Sequence, residues 1–197
     1  MKNMKGFGAP ARRVTLALAV AALFQAGSAL AALELRDLNG NATAITADAE
    51  FAYDTVLDAT WYLTGTNTRS NWDDAKSWAA ALTVGTFSGW SLPSTPDNCS
   101  GYNCTNSQMG ELYYTALGNP EGGPLSNTGP FKNLQSYYYW SGTEYAPSPG
   151  GAWLFYTNLG FQSADTKNLA LYALAVRPGD VAAVPEWQNP RVNWRSR

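Results

Sequence analysis

The chain has 197 residues, with 13 basic side chains, 15 acidic side chains and no histidine. The lack of histidine removes the commonest general base and metal ligand, and it excludes Ser-His-Asp and Cys-His catalytic arrangements. The net charge of −2, with no cluster of Lys or Arg in the body of the chain, argues against a nucleic-acid partner, because phosphate backbones are polyanions.

Residues 1–31 are typical of a secretory signal peptide. Basic residues at positions 2, 5, 12 and 13 precede an apolar run at 14–24, and Ala29-Leu30-Ala31 forms a cleavage site. The run is shorter than the roughly 20 residues that span a bilayer. We therefore expect export to the periplasm, cell surface or extracellular space, with no membrane span in the mature chain. Cleavage after Ala31 leaves 9 basic and 15 acidic residues, a net charge of −6.

The mature chain is predicted to hold a leading segment at 32–49, one domain at 50–180 and a disordered tail at 181–197. Its length suits a single domain. Residues 33–38 alternate between apolar and polar, which predicts a half-buried strand, and Thr60–Leu63 are β-branched or aromatic, which predicts another. The tail contains prolines and arginines without an apolar run.

Two helices are predicted next. The first begins with Ser70 as the capping residue and ends near Gly85, and its apolar stripe consists of Ala75, Trp78, Ala79 and Leu82. The second covers 107–117 and ends before Gly118. A long loop rich in Pro and Gly follows.

The part of the chain after Lys132 is predicted to be rich in strands. Three segments, at 137–140, 152–156 and 169–176, combine aromatic and β-branched residues. Because helices come early and strands late, without alternation, the sequence predicts an α+β fold and not a doubly wound parallel sheet.

Cys99 and Cys104 are the two cysteines of the chain. In an exported protein such a pair predicts a disulfide, and the Gly and Asn residues between them favour a tight loop. A reactive thiol pair is the alternative, but reactive thiols need a basic neighbourhood, which this segment lacks.

No catalytic group, metal site or cofactor is predicted. The sequence has neither a phosphate-binding Gly-rich loop followed by Lys-Ser/Thr nor zinc-type cysteine spacing. The carboxylates considered for acid–base work are scattered: Asp73, Asp74, Glu111, Glu144 and Asp165. Asp73 and Asp74 suit a helix start, and Glu111 is interpreted as structural.

Aromatic residues are abundant, with 8 Trp, 11 Tyr and 7 Phe. Trp61, Trp78, Trp90 and Trp140 lie in apolar patterns and are predicted to be core residues. Four others are considered as ligand-binding rings able to stack on sugars: Tyr102, Tyr145, Trp153 and Tyr156. A purely structural role is the alternative for these four.

Six motifs occur in an order that resembles the Lcl C-terminal domain family, a bacterial domain of unknown function. They are Tyr53-Asp54-Thr55 with Thr60-Trp61, Trp72–Ala79, Gly89–Pro93, Met109–Tyr113, Tyr139–Glu144 and Ala175–Pro178. The resemblance covers about residues 50–180 and implies a C-type-lectin-like fold with two helices packed on a mainly antiparallel sheet with long loops. The family usually has Trp-Arg-Leu-Pro where this chain has Ser91, which cannot hold a carboxylate in the bidentate manner of Arg.

The end of the chain resembles the approach to a PEP-CTERM sorting signal at Ala182-Ala183-Val184-Pro185-Glu186. The apolar membrane helix that should follow such a signal is missing. The sequence therefore predicts a mature chain without this anchor.

The family resemblance, the export signal and the aromatic surplus lead to one expectation of function. We expect an exported non-enzymatic domain at the surface or in the matrix that binds an extracellular polysaccharide, a surface glycan or another surface ligand. A structural matrix protein without a defined ligand is one alternative. A thiol enzyme similar to formylglycine-generating enzymes, which share the fold distantly, is the other.

Overall fold

The computed structural model describes residues 33–182. The predicted signal peptide at 1–31 and residues 183–197 of the predicted tail, including all but the first residue of the segment that resembles a sorting signal, lie outside the described residues. At the border of that tail, Val181 is buried in the core, with 2% of its surface exposed.

The fold is an α+β mixture with two antiparallel sheets. The first sheet has the order β1-β2-β3-β7, from strands Leu33–Arg36, Phe51–Asp54, Ala59–Tyr62 and Val176–Pro178. The second is a meander of β4, β5 and β6, from Tyr138–Glu144, Gly151–Tyr156 and Phe161–Thr166. The predicted α+β class is thus confirmed, and β1 joins the leading segment to the first sheet.

Helix α1 spans Trp72–Ala81 and packs against β4. The indole N–H of Trp72 donates to the carbonyl of Ser141 at 2.7 Å, and that of Trp140 donates to Ser70 O at 3.0 Å. These reciprocal hydrogen bonds satisfy two buried indoles while they fix the start of the helix against the sheet.

The predicted cap and end of α1 were wrong. Asn71 is the N-cap, and its side chain accepts from Asp74 N, while the backbone of Ser70 pairs with Leu171. The helix ends at Ala81, before Gly85 is reached. Asn71 keeps an extended backbone, with φ −65° and ψ 170°, so the helical geometry begins at Trp72, one residue later than a cap at Ser70 would place it.

Helix α2 consists of an α-helical turn, Gln108–Gly110, and a π-helical segment, Glu111–Ala116. Ser107 caps it by accepting from Gly110 N, and Leu117 N donates to Leu112 O across five residues. The predicted second helix is therefore present, although its hydrogen bonding widens in the second half.

The strand predicted at 169–176 was wrong in most of its length. This segment crosses between the sheets and makes single bridges, from Leu171 to Ser70, from Tyr172 to Tyr139 and from Val176 to Ser91. Only Val176 belongs to a strand, β7. From Leu171 to Val176 the apolar residues, apart from the half-buried Tyr172, are buried because both core clusters cover this part of the segment, whereas Leu169 and Ala170 are exposed.

The core divides into two clusters on the two sides of the crossing segment. One is centred on Trp61, Leu112 and Phe155, and the other contains Trp90 and Trp140. These three tryptophans are at most 3% exposed, as predicted. Trp78, predicted to be core, is only partly buried at the rim of the second cluster because it lies at the border of the buried stripe of α1.

Candidate functional site

A row of aromatic rings crosses one face of the three-stranded sheet. Tyr138, Tyr156 and Phe161 are cross-strand neighbours on β4, β5 and β6. The rings of Tyr138 and Tyr156 stack with 4.1 Å between centroids, and Tyr102 packs edge-on against Phe161 at 4.8 Å. Tyr137 extends the row with an edge-on contact to Tyr138 at 5.3 Å. Strand register places these rings side by side, since opposite residues of an antiparallel pair share one face.

The ring row lines an open groove of about 730 Å³, which we call the aromatic groove. Leu154 and Ser163, the next cross-strand pair on the same face, and the segment at 169–171 complete its lining. Cavities that bind small ligands typically have volumes of about 300–1,000 Å³, with mostly apolar walls and a few polar groups. The groove therefore has the size and the character of a ligand site.

Two charged side chains border the aromatic groove. The guanidinium of Arg69 lies 5.0 Å from the ring centroid of Tyr137 and donates to its hydroxyl at 2.9 Å. Asp165 lines the groove with an exposed carboxylate. Desolvation raises the pKa of Tyr138, and the charges of Tyr156, Tyr137 and Asp165 raise it further. The groove thus offers hydrogen-bond donors from Arg69 and acceptors from Asp165.

A second cavity of about 300 Å³, which we call the edge pocket, lies next to the groove at β6. It is lined by Tyr145, Trp153, Gln162 and Ala164, together with residues 100 and 101 of the cysteine loop and with Phe161 and Ser163. Trp153 and Gln162 point to the sheet face opposite the ring row, because side chains alternate along a strand. The two cavities share Phe161 and Ser163 and meet at the edge strand.

Two buried polar atoms of the edge pocket have no hydrogen-bond partner among the described residues. They are Trp153 Nε1, a donor, and Gln162 Oε1, an acceptor. Trp153 is 3% exposed and Gln162 is fully buried. The other end of the Gln162 amide is engaged, since its Nε2 donates to Leu154 O at 2.6 Å. The pocket therefore presents one unused donor and one unused acceptor.

The cysteine loop, residues 99–104, forms one side of both cavities. Cys99 and Cys104 are at disulfide distance, with 5.4 Å between their Cα atoms. Gly101 exchanges two backbone hydrogen bonds with Gln162, at 2.8 and 2.9 Å. Because Gly101 has a φ of +86°, the loop turns back sharply enough to present Tyr102 to the groove.

The structure divides the four predicted ligand-binding residues between the two cavities. Tyr102 and Tyr156 line the aromatic groove, and Tyr145 and Trp153 line the edge pocket. Trp153 is buried, with its indole packed edge-on against Tyr145 at 5.1 Å. It is therefore not an exposed platform, although its N–H remains unused.

Sequence reasoning missed four groove residues: Arg69, Tyr137, Tyr138 and Phe161. The tyrosines lie in a run interpreted only as a strand, and no alternation separates the half-buried Tyr137 and Tyr138 from the buried Tyr139 and Trp140 that follow them. Phe161 begins a strand that was not predicted, because Gln162–Thr166 is mostly polar.

Asp54 and Glu111 form a buried carboxyl pair that the sequence did not reveal. Glu111 is 3% exposed and Asp54 is fully buried. Both oxygens of Glu111 lack a hydrogen-bond partner when both groups are ionised, whereas a proton on Glu111 makes it a donor to Asp54. Burial is the main cause that raises the pKa of Glu111 to about 8, and hydrogen bonding and charge repulsion from Asp54 add to it.

The carboxyl pair lines neither the groove nor the edge pocket. Asp54 Oδ1 accepts from the backbone N–H groups of Val56 and Leu57, at 3.0 and 3.1 Å, and thereby holds the turn after β2. Glu144, another carboxylate considered at first, forms a salt bridge with Lys167. Asp54, Glu111 and Glu144 therefore contact other parts of the protein and have structural roles.

Within residues 33–182, no group of three His, Cys, Asp or Glu side chains is placed to hold a metal ion. The helices of the same region are too short and too polar to cross a membrane. No protein-family model matches the sequence, and no curated protein is significantly similar to it.

Proposed function

We propose that this chain is an exported, non-enzymatic carbohydrate-binding domain whose aromatic groove holds an extracellular polysaccharide. The observation that carries the proposal is the row of rings across β4, β5 and β6, with Tyr138 and Tyr156 stacked at 4.1 Å. The apolar face of a sugar packs on an aromatic ring, while its hydroxyl groups require polar partners at the rim. Arg69 and Asp165 supply such partners on the same groove.

The charge of the domain favours a neutral polysaccharide over a polyanion. Residues 33–182 carry six basic and fourteen acidic side chains. Asp165 lies on the groove itself, and within residues 33–182 Arg69 is the one cation that lines it. An acidic polymer would approach a domain of net negative charge, which slows encounter and lowers affinity. A neutral sugar chain meets no such repulsion and uses both charged groups as hydrogen-bond partners.

Membership of the Lcl C-terminal domain family and a C-type-lectin-like arrangement belong to the same proposal. Two short helices, antiparallel sheets and long loops support it. The motif tryptophans Trp61, Trp90 and Trp140 are buried in the two core clusters. Motifs that specify a fold are expected to place their large side chains in this way.

The proposal is tested with residues 32–197 on a glycan array that contains neutral and acidic polysaccharides, with calcium and again with EDTA. We expect selective retention of neutral glycans. EDTA should leave it unchanged, since Asp165 is the one carboxylate that lines the groove in the described part of the chain and a calcium ion needs about six oxygen ligands. Preferential binding of acidic glycans would contradict the charge argument.

Matched variants connect any binding to the groove. Tyr138→Ala and Tyr156→Ala should each weaken binding at least tenfold, about 1.4 kcal/mol, because each removes a stacking ring. Tyr53→Ala, on β2 of the other sheet, removes a similar half-buried ring and should leave binding unchanged. A silent array with a folded chain would reject the proposal and favour a matrix or protein-binding role, which a pull-down from the native envelope would then examine.

A further inference from the structure

The two unused polar atoms of the edge pocket are an unusual feature for a folded domain. A buried donor or acceptor without a partner destabilises the folded state, and most such groups in native proteins are paired. Here Trp153 Nε1 and Gln162 Oε1 both lack partners, and both residues line the same cavity. They lie diagonally on the neighbouring strands β5 and β6, on one sheet face.

Both side chains are held in place by their neighbours. The Gln162 amide is fixed by the hydrogen bond from its Nε2 to Leu154 O, and a flip of the amide would exchange one unpaired atom for another. The indole of Trp153 is fixed by the edge-on ring of Tyr145, at 5.1 Å. The donor and the acceptor are therefore arranged in advance for a partner that does not come from the protein.

A hydroxyl group is the chemical partner that satisfies both atoms. It accepts a hydrogen bond from an N–H and donates one to an amide oxygen, whereas a carboxylate or a carbonyl accepts only. The lining of the pocket, which is part aromatic and part polar, suits one sugar unit in size, at about 300 Å³.

We propose that the edge pocket is a second sugar subsite, in which Trp153 Nε1 donates to a ligand hydroxyl and Gln162 Oε1 accepts from it. This inference rests on the proposed function and narrows it. Because the two cavities share Phe161 and Ser163 and lie on opposite faces at the edge of β6, one ligand must pass over the edge strand to fill both. The ligand is then a neutral oligosaccharide of several connected units, and a monosaccharide occupies only the groove.

Entry to the subsite passes Tyr145. Its ring is half-buried and belongs to the turn between β4 and β5, whose residues 146–150 are exposed. The two unused polar atoms, Trp153 Nε1 and Gln162 Oε1, are themselves shielded from solvent. The proposal therefore includes a rotation of the Tyr145 ring, after which the ligand takes the place of that ring beside the indole.

The test follows the NMR signals of the indole N–H groups in ¹⁵N-labelled protein, residues 32–197. The signal of Trp153 is identified as the one that is missing from the spectrum of Trp153→Phe. The probes are tetramers of β-1,4-linked glucose, β-1,4-linked N-acetylglucosamine and α-1,2-linked mannose, each with its monomer. We expect the bound tetramer to shift the Trp153 signal, and the monomer to bind without shifting it. Trp153→Phe keeps a ring but lacks the N–H. It should lower the affinity for the tetramer at least fivefold and leave the affinity for the monomer unchanged.

The outcomes separate the two proposals. Binding of a tetramer that depends on Tyr156 but leaves the Trp153 signal and the Trp153→Phe affinity unchanged would overturn the second subsite and keep the groove. Binding of no probe to the wild-type chain would overturn the proposed function and the subsite together. If Trp153→Phe does not fold, specific labelling of tryptophan with residue-by-residue assignment in the wild-type chain gives the same decision.

Discussion

Glu111 on α2 lies against Asp54 at the end of β2, and both carboxyl groups are withdrawn from solvent. The pair connects the second helix to the first sheet. A single proton on Glu111 satisfies the contact, whereas two negative charges in this position repel each other without water to screen them. The protonation of Glu111 is thus part of the folded structure.

The stability of the domain should fall as the pH rises from about 5 to 8. The pKa of Glu111 is raised from 4.5 to about 8 in the folded chain, so the folded state keeps a proton that the unfolded state releases. The contribution of Glu111 to the free energy of unfolding is fully present below its unfolded pKa, and above it declines by at most about 1.4 kcal/mol per pH unit. Chemical denaturation at several pH values measures this slope, which no histidine obscures.

Glu111→Gln is the variant that isolates this effect. An amide is neutral at every pH and still donates to Asp54, so the variant should lose the slope and exceed the wild type in stability at pH 8. Asp97→Asn, an equivalent change at an exposed position, should keep the slope of the wild type. Equal slopes in wild type and Glu111→Gln would show that another group takes up the proton.

The N-cap of α1 gives a second prediction that separates two adjacent residues. Asn71→Ala should reduce the free energy of unfolding by about 1 kcal/mol, because its side chain satisfies the N–H of Asp74 at 2.9 Å. Ser70→Ala should change it by less than about 0.5 kcal/mol, since only the backbone of Ser70 is engaged. Urea denaturation of both variants measures the difference. A larger decrease in the free energy of unfolding for Ser70→Ala would show that Ser70 caps the helix, as the sequence predicted.

The helices and the β4–β5 strands were predictable because their apolar residues recur with the period of one element. Met109, Leu112 and Tyr113 share a helix face and are buried together. The residues of β5 are mostly apolar because both of its faces and both of its edges are covered. In such elements local propensity and burial agree, so the sequence alone indicates the structure.

Tyr102 and Tyr156 were singled out from the sequence, but the groove as a whole and the carboxyl pair were not predictable, because they join elements distant in sequence. Arg69 meets Tyr137 across 68 residues, and Asp54 meets Glu111 across the whole of α1 and the cysteine loop. The edge strand β6 has only one covered face, and its polar residues resemble a loop. The crossing segment at 171–176 shows the opposite error, since its burial resembles that of a strand although its partners change along its length.

The turn between β5 and β6 depends on Gly160. Its φ is +70°, and a Cβ atom at this position would lie 2.5 Å from the hydroxyl oxygen of Tyr114 and 2.6 Å from Tyr113. Gly160→Ala should therefore lower the free energy of unfolding by at least about 2 kcal/mol through strain and overpacking. Gly150→Ala is the control, because nothing lies within 4 Å of the added atom and its φ is not positive.

Thermal unfolding followed by near-ultraviolet circular dichroism compares the two glycine variants. Gly160→Ala should show a lower midpoint, and its aromatic signal should be weaker because the hairpin carries Tyr156 and Phe161 of the ring row. Gly150→Ala should match the wild type within about 0.5 kcal/mol. Equal midpoints in both variants would mean that Tyr113 and Tyr114 move aside at little cost.

The Cys99–Cys104 pair should act on the edge pocket as well as on stability. The oxidised chain should contain no free thiol, which thiol titration measures directly, and a reactive thiol would instead favour the enzymatic alternative. Cys99→Ser with Cys104→Ser should cost about 2 kcal/mol, the chain-entropy value for so short a loop. It should also loosen the two hydrogen bonds between Gly101 and Gln162, so that their amide protons exchange faster with solvent.

Amide exchange tests whether the disulfide holds this loop against β6. Exchange should accelerate at Gly101 and Gln162 in the double variant, while Leu63 N–H, which donates to Glu50 O at the other sheet, should change only as global stability does. Gly101 lines the edge pocket and Tyr102 lines the groove. The double variant should therefore also lower the affinity for any oligosaccharide that occupies both cavities. Unchanged exchange at Gln162 would show that the backbone bridge to β6 holds the loop without the disulfide, and the cysteines would then contribute to stability alone.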